Sequence, residues 1–141
     1  MKGHVEFFQE SSVAIPLDED DAGRIVISVL KDLGYSEFSV NIISLEDEAL
    51  REMKNEYFHE DVYTDVISFT IENEPLEGEL YVSPERIKFN AEKFGQTPER
   101  EFARIMIHGV CHLCGYEDAT EEEKNNMTKL ENRFLTQYYD K

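Results

Sequence analysis

The sequence predicts an α+β domain in which a four-stranded mixed sheet is covered by about five helices. Four short segments are rich in β-branched and aromatic residues, and five longer segments repeat their apolar residues at helical spacing. These segments follow one another in the order β-α-β-α-β-β-α-α-α, so strands and helices do not alternate regularly. No internal repeat or low-complexity segment interrupts them, and residues 1–141 are expected to form a single domain.

The first half of the chain contains two predicted strands, each followed by a helix. Gly3 to Gln9 is apolar at three positions and predicts an edge strand. A helix is expected over 18–34, because its apolar residues share one face and its acidic first turn suits the helix dipole. The alternating residues 39–44 predict the second strand, and the last of them, Ser44, is expected to cap a helix over 45–54.

The middle of the chain predicts the other two strands. A polar loop over 55–63 precedes the third strand, Thr64 to Ile71. An acidic connection, Glu72 to Glu77, leads to the fourth strand, Gly78 to Val82. The two strands follow each other without a helix between them, which distinguishes this order from a regular β-α repeat.

Three predicted helices end the chain, and each begins with a capping signal. Ser83-Pro84 and Thr97-Pro98 each place a hydroxyl N-cap before a proline at the first helical position. Thr120 and Glu123 form a capping box. The first of these helices is expected to end at Gly95 and the last near Tyr138.

The chain is strongly acidic. It has 14 Lys and Arg against 31 Asp and Glu, which gives a formal net charge of −17. This charge argues against non-specific nucleic-acid binding, which depends on neutralising phosphates, but it is compatible with an RNA enzyme whose cleft is locally positive. No run approaches the roughly 18 apolar residues of a membrane span, and the first ten residues do not form a hydrophobic leader. We expect a cytoplasmic protein.

The pattern H-x-x-x-H-x-x-G-x-x-D predicts a metal site. His108 and His112 are four residues apart, so on a helix they lie roughly 40° apart on one face and can bind the same ion. Gly115 follows at the position of a left-handed helix cap, where the chain can reverse. Either Glu117 or Asp118 can then return to the ion, and the sequence leaves this choice open.

Two other roles for this stretch can be weighed, a protease site and a redox-active cysteine pair. Metzincin proteases, which belong to the zincin type, share the skeleton but have a general-base Glu after the first His, where this chain has Gly109. Cys111 and Cys114 form a C-x-x-C pair, but the C-terminal end of a helix does not stabilise a thiolate, so both are predicted to be packing residues. Cys111, three residues from His108, stays an alternative metal ligand.

The stretch H-G-V-C-H-L-C-G-Y-E-D, residues 108–118, resembles the H-G-x-L-H-L-x-G-Y-D-H signature of the YbeY-type endoribonucleases. Asp118 stands where that family has its third His ligand, and a carboxylate binds zinc at a similar distance. T-D-V-I-S-F-T-I, residues 64–71, resembles the family stretch P-T-D-V-L-S-F-P. Phe58 stands where the family carries an Arg, and the adjacent His59 is a candidate to act in its place.

The resemblance implies a metal-dependent endoribonuclease specific for single strands, acting in rRNA processing, with 16S-type 3′ end maturation, and in ribosome quality control. It implies one Zn²⁺ per chain held by His108, His112 and Asp118, with Glu117 and His59 as catalytic residues. The carboxylate of Asp118 should also favour harder ions such as Mn²⁺.

The partners that the resemblance implies are single-stranded RNA or rRNA and the small ribosomal subunit or a protein associated with it, without DNA or membrane. Two other functions remain open at this stage. One is a zinc peptidase of metzincin-like geometry, and the other is a non-catalytic ribosome-associated factor whose site has drifted.

Overall fold

The computed structural model describes residues 2–140 and contains the predicted order of strands and helices. The strands are β1 (Gly3–Gln9), β2 (Phe38–Ser44), β3 (Val66–Asn73) and β4 (Leu76–Val82). The helices are α1 (Glu19–Asp32), α2 (Asp47–Phe58), α3 (Pro84–Lys93), α4 (Pro98–Leu113) and α5 (Glu121–Tyr138). The predicted α+β class is confirmed. Within residues 2–140, every helix is too short or too polar to cross a membrane.

The four strands form one mixed sheet with the order β1-β2-β4-β3. β1 and β4 run parallel to the central strand β2, whereas β3 pairs with β4 in antiparallel fashion. β1 is an edge strand, as its sequence predicts, and β3 forms the other edge. Most of the Thr64–Ile71 stretch therefore lies in the edge strand β3, which helix α4 contacts.

The core lies between one face of this sheet and helices α1 and α4. Val40, Ile42 and Leu80 project from β2 and β4 into the core and are essentially inaccessible to solvent. Helices α1 and α4 cover them with apolar side chains such as Leu30 and Met106, which are also fully buried. Burial of this apolar area is the main force that holds the helix carrying the His pair against the sheet.

Helix α2 differs from its prediction at both ends. Ser44 belongs to β2 and does not cap the helix, because Leu45 follows it and Glu46 is the N-cap. At the other end the helix continues through residues predicted to be loop and stops at Phe58, where His59 takes a left-handed conformation with φ 58°. The last turn persists because its aromatic side chains contact Phe69 of β3, a tertiary contact that the local pattern does not reveal.

The acidic stretch predicted as a connection is mostly strand. Glu72 and Asn73 pair with Glu77 and Leu76, so only two residues separate β3 from β4. The acidic side chains tolerate strand pairing here because they are largely solvent-exposed while the backbone groups satisfy one another.

Two glycines allow helix α4 and the sheet to approach each other closely. A Cβ atom at Gly109 of α4 would lie 3.0 Å from Cδ2 of the buried Leu80. A Cβ atom at Gly78 of β4 would lie 2.7 Å from Cδ2 of Leu113, near the end of the same helix. Both contacts are shorter than a side chain can accept without displacing its neighbour.

Hydroxyl groups of β3 join the strand to helix α4 at the same place. The Ser68 hydroxyl donates to the backbone carbonyl of Gly109 over 3.1 Å, and the Thr70 hydroxyl donates to that of Leu113 over 3.3 Å. A carbonyl oxygen has two lone pairs, so it can accept such a bond in addition to a helical one. These bonds explain why β3 carries hydroxyl residues on the face that contacts the helix.

We predict that Gly109→Val lowers the free energy of unfolding by about 1–3 kcal/mol, because the new side chain overpacks the interface with Leu80. Urea unfolding followed by circular dichroism measures the change. Gly23→Val in α1 is the control, since a Cβ there would lie 3.7 Å from Phe7. An equal loss in the control would show that helix propensity, and not the approach to the sheet, limits position 109.

Candidate metal centre

The end of helix α4 brings the predicted metal ligands together. The chain reverses at Gly115, whose φ of 95° is a conformation that glycine adopts without strain. The turn is stabilised by two backbone hydrogen bonds of 3.0 Å, from Gly115 N–H to His112 and from Tyr116 N–H to Cys111. The reversal returns Asp118 towards the imidazoles, as the spacing predicts.

Three donor atoms converge beyond the last turn of α4. Nε2 of His108 and Nε2 of His112 are 3.1 Å apart, and Oδ2 of Asp118 lies 3.5 Å and 3.4 Å from them. A tetrahedral ion with ligands at about 2.0–2.1 Å requires neighbouring ligand atoms about 3.3 Å apart. The side chains present therefore fit a divalent metal ion with three protein ligands, which is the donor number of catalytic zinc sites.

The two other candidates for the third ligand do not belong to this group of donor atoms. Glu117 faces the same cleft, but the donors that lie mutually within 4.8 Å come from His108, His112 and Asp118. Cys111 is fully buried in the core, and burial raises the pKa of its thiol to about 12. Its sulfur is therefore a packing group of the core, and it is not one of the three converging donors.

The donor atoms open into a cleft of about 440 Å³. Its lining comes from α2, the start of β3, the end of α4 and the turn that follows it: Lys54, Phe58, Thr64, Asp65, Val66, Ile67, Ser68, His108, His112, Glu117 and Asp118. Glu117, predicted as catalytic, is part of this lining. His59, the other residue so predicted, caps α2 immediately after Phe58 and is not one of the lining residues.

The protein family described as endoribonuclease YbeY matches the chain over residues 7–139. The chain belongs to the YbeY family. It is 33% identical to the endoribonuclease YbeY of Christiangramia forsetii over 140 residues, which are 98% of this chain and 96% of that protein. It is 37% identical to the endoribonuclease YbeY of Flavobacterium psychrophilum over 117 residues, 82% of this chain and 84% of that protein.

The fold agrees with this YbeY assignment. The chain is similar to the solution structure of TM1509 from Thermotoga maritima, with a TM-score of 0.65 and 25% sequence identity. The match covers 95% of this chain and 91% of the other. Together with the family match over residues 7–139, this shows that the similarity extends over nearly the whole fold and is not limited to the two motifs.

A carboxylate on helix α5 supports the first His of the YbeY motif. Nδ1 of His108 donates to Oε2 of Glu131 over 2.5 Å, and Nη1 of Arg104 donates to the other carboxylate oxygen over 2.8 Å. Burial of His108 acts to lower its pKa, but the hydrogen bond and charge of Glu131, with the charges of Asp118 and Asp65, outweigh this, so the net direction is upward. With the proton on Nδ1, the Nε2 lone pair is available to a metal.

Glu131 was missed by sequence reasoning. It lies 23 residues from His108, and the apolar stripe of α5 was interpreted as core alone. Glu131 stands four residues after Met127 and four before Leu135, both of which are buried. An acidic residue at a core position of a helix is the signal that could have revealed it, because a buried carboxylate needs a partner.

A half-buried carboxylate, that of Asp65, also lies beside the site. Asp65 lines the cleft and accepts a hydrogen bond of 3.4 Å from the Asn90 side chain. Burial raises the pKa of Asp65, while the nearby charge of His108 opposes the rise.

Replacing Glu131 should weaken metal binding. We expect Glu131→Leu to lower zinc affinity by about 10- to 100-fold, since it removes the group that orients His108. Glu131→Gln keeps a carbonyl acceptor and should recover part of the loss. Competition against a zinc-binding dye measures the affinity.

The control for this experiment is Glu101→Leu, which removes another buried carboxylate, from α4. It should change zinc affinity by less than about twofold, because the hydrogen bond to His108 comes from Glu131. Circular dichroism must show each variant to be folded. Wild-type zinc affinity in folded Glu131→Leu would contradict the supporting role of Glu131.

Proposed function

We propose that residues 1–141 act as one metal-dependent hydrolase domain, an endoribonuclease that cuts single-stranded RNA. The observation that carries the proposal is the convergence of His108, His112 and Asp118 at the motif of a family whose members are named endoribonucleases. The proposed process is rRNA processing, with 16S-type 3′ end maturation and ribosome quality control. The proposed place is the cytoplasm, on the small ribosomal subunit or with a protein associated with it.

His108, His112 and Asp118 are the proposed ligands of one Zn²⁺. A bound divalent ion of this kind supplies Lewis acidity, which activates water and polarises a phosphoryl oxygen. The carboxylate of Asp118 brings a negative charge and an oxygen ligand, so the same site also suits Mn²⁺ in place of Zn²⁺.

The protein's own groups would position the substrate and move protons. Glu117 lines the same cleft as His108 and His112, and we assign it the acceptance of a proton during hydrolysis. His59, just outside the lining, is the second proposed proton carrier. Lys54 is the one Lys or Arg among the lining residues that the structure describes, and it would contact a phosphate.

A zinc peptidase is less consistent with the geometry. Metzincins place their general-base Glu immediately after the first His, but here that position faces the sheet, with Leu80 side-chain atoms 3.0–3.2 Å from a Cβ. A glutamate there would project towards the sheet and not into the cleft. A drifted, non-catalytic site is also less consistent, because the donor set is complete and His108 retains its supporting carboxylate.

Metal content is the first measurement. Elemental analysis of the purified protein should give about one ion per chain, and Asp118→Ala should lose it or bind it at least about tenfold more weakly. If the variant retained the ion, the third metal ligand would be Glu117 or Cys111 and not Asp118. If the wild-type protein held no ion even after zinc is supplied, the hypothesis of a metal-dependent hydrolase would be contradicted.

RNA cleavage tests the chemistry. We expect His112→Ala to abolish cleavage of a labelled single-stranded RNA while circular dichroism shows it to be folded. Glu117→Gln should lower kcat by about 10²- to 10⁴-fold if it carries the proton, and His59→Gln is assayed beside it.

The same RNA annealed to its complement is the substrate control, and casein tests for peptidase activity. Efficient cutting of the duplex would contradict specificity for single strands. Cleavage at the wild-type rate by His112→Ala would show that the activity does not come from this site.

A further inference from the structure

Two exposed aromatic side chains end helix α2, and the second of them lines the metal cleft. Tyr57 is 59% exposed and Phe58 is 42% exposed. Phe58 lines the same cleft as His108 and His112. Neighbouring rings that are left in solvent beside a candidate active site form a surface suited to a ligand with a flat face.

The two rings are held in place from below. Phe69 of β3 lies under both of them, edge-on to Tyr57 with 5.4 Å between ring centroids and stacked on Phe58 at 5.9 Å with 20° between the planes. Tyr81 of β4 supports Phe69 in turn, at 5.9 Å. Because these contacts already restrict the rings, a ligand that stacks on them pays little further side-chain entropy. We call Tyr57 and Phe58 the aromatic platform.

The charges around the platform give little attraction for a polyanion. Among the described lining residues, Lys54 is the single Lys or Arg, against the carboxyl groups of Asp65, Glu117 and Asp118. The ammonium of Lys54 lies 4.8 Å from the centre of the Phe58 ring and 3.6 Å from the carboxylate of Glu60. In a chain of net charge −17, affinity for RNA must come largely from contacts other than phosphate pairing.

We propose that the aromatic platform stacks unpaired bases of single-stranded RNA next to the phosphodiester that lies in the cleft. This rests on the proposed function, because it assigns the bases of that same substrate to Tyr57 and Phe58. Base stacking on aromatic side chains is tolerant of sequence and needs no net positive charge. A base inside a duplex does not offer its face to a side chain, so the platform selects single strands. Lys54 supplies the one phosphate contact beside it.

The test is binding of a fluorescein-labelled, 12-nucleotide single-stranded RNA to the full chain, measured by fluorescence anisotropy. Metal is removed with a chelator, so that cleavage does not enter the result. Phe58→Leu and Tyr57→Leu retain apolar contact with Phe69 and should each raise Kd by about tenfold. The salt dependence should be shallow, with a slope of about −0.7 in log K against log salt, since one phosphate contact is expected.

Phe94→Leu is the matched control. Phe94 is 62% exposed at the end of α3 and has the ammonium of Lys93 5.8 Å from its ring, but it is not part of the cleft lining. Its replacement should leave Kd within about twofold. A second RNA of the same length, with abasic sugars at its central positions, should bind wild type and Phe58→Leu equally weakly, because only stacking distinguishes them.

The outcomes separate this inference from the proposed function. Two results would overturn the proposed base stacking: unchanged RNA affinity in both Leu variants, or an equal loss of affinity for the intact and the abasic strand. If wild type cleaves RNA in that case, the endoribonuclease proposal still stands. Base-dependent binding without any cleavage would instead support the platform and count against catalysis.

Discussion

The close approach of helix α4 to strands β3 and β4 is the constraint on which the rest of the structure depends. It needs a glycine at 109, where Leu80 leaves no room for a side chain, and a glycine at 78, where Leu113 fills the space above the strand. The hydroxyl of Ser68 then bonds the helix backbone directly. The same approach turns His108 and His112 away from the sheet and towards the cleft, and it removes the position at which a metzincin keeps its base.

Negative charge dominates both the whole chain and the lining of the cleft. Among its described lining residues the cleft combines several carboxyl groups with a single lysine, and a divalent ion would be the largest positive charge in it. Arg104 donates hydrogen bonds to Glu131 and Asn132, and it holds the carboxylate that orients His108. Such a site suits a substrate held by stacking and by a metal ion better than one held by a basic surface.

Most of the fold could be predicted, because its signals are local. Hydroxyl caps and prolines marked the starts of α3, α4 and α5, and Thr97 and Thr120 accept backbone hydrogen bonds at those starts. Both ends of α2 were wrong, since Glu46 replaces Ser44 as the cap and the last turn is kept by Phe69, a residue of a strand. An exposed aromatic turn cannot be distinguished from a loop by its own pattern.

The sequence by itself determined the His pair and the glycine reversal, because both follow from backbone geometry within eleven consecutive residues, 108–118. Tertiary structure alone placed the Asp118 carboxylate, and not that of Glu117, in the donor group. It alone brought Glu131 from another helix to His108, and set Phe58 beside the cleft. These depend on how separate elements pack, and a packing contact between distant segments leaves no periodic trace in either segment.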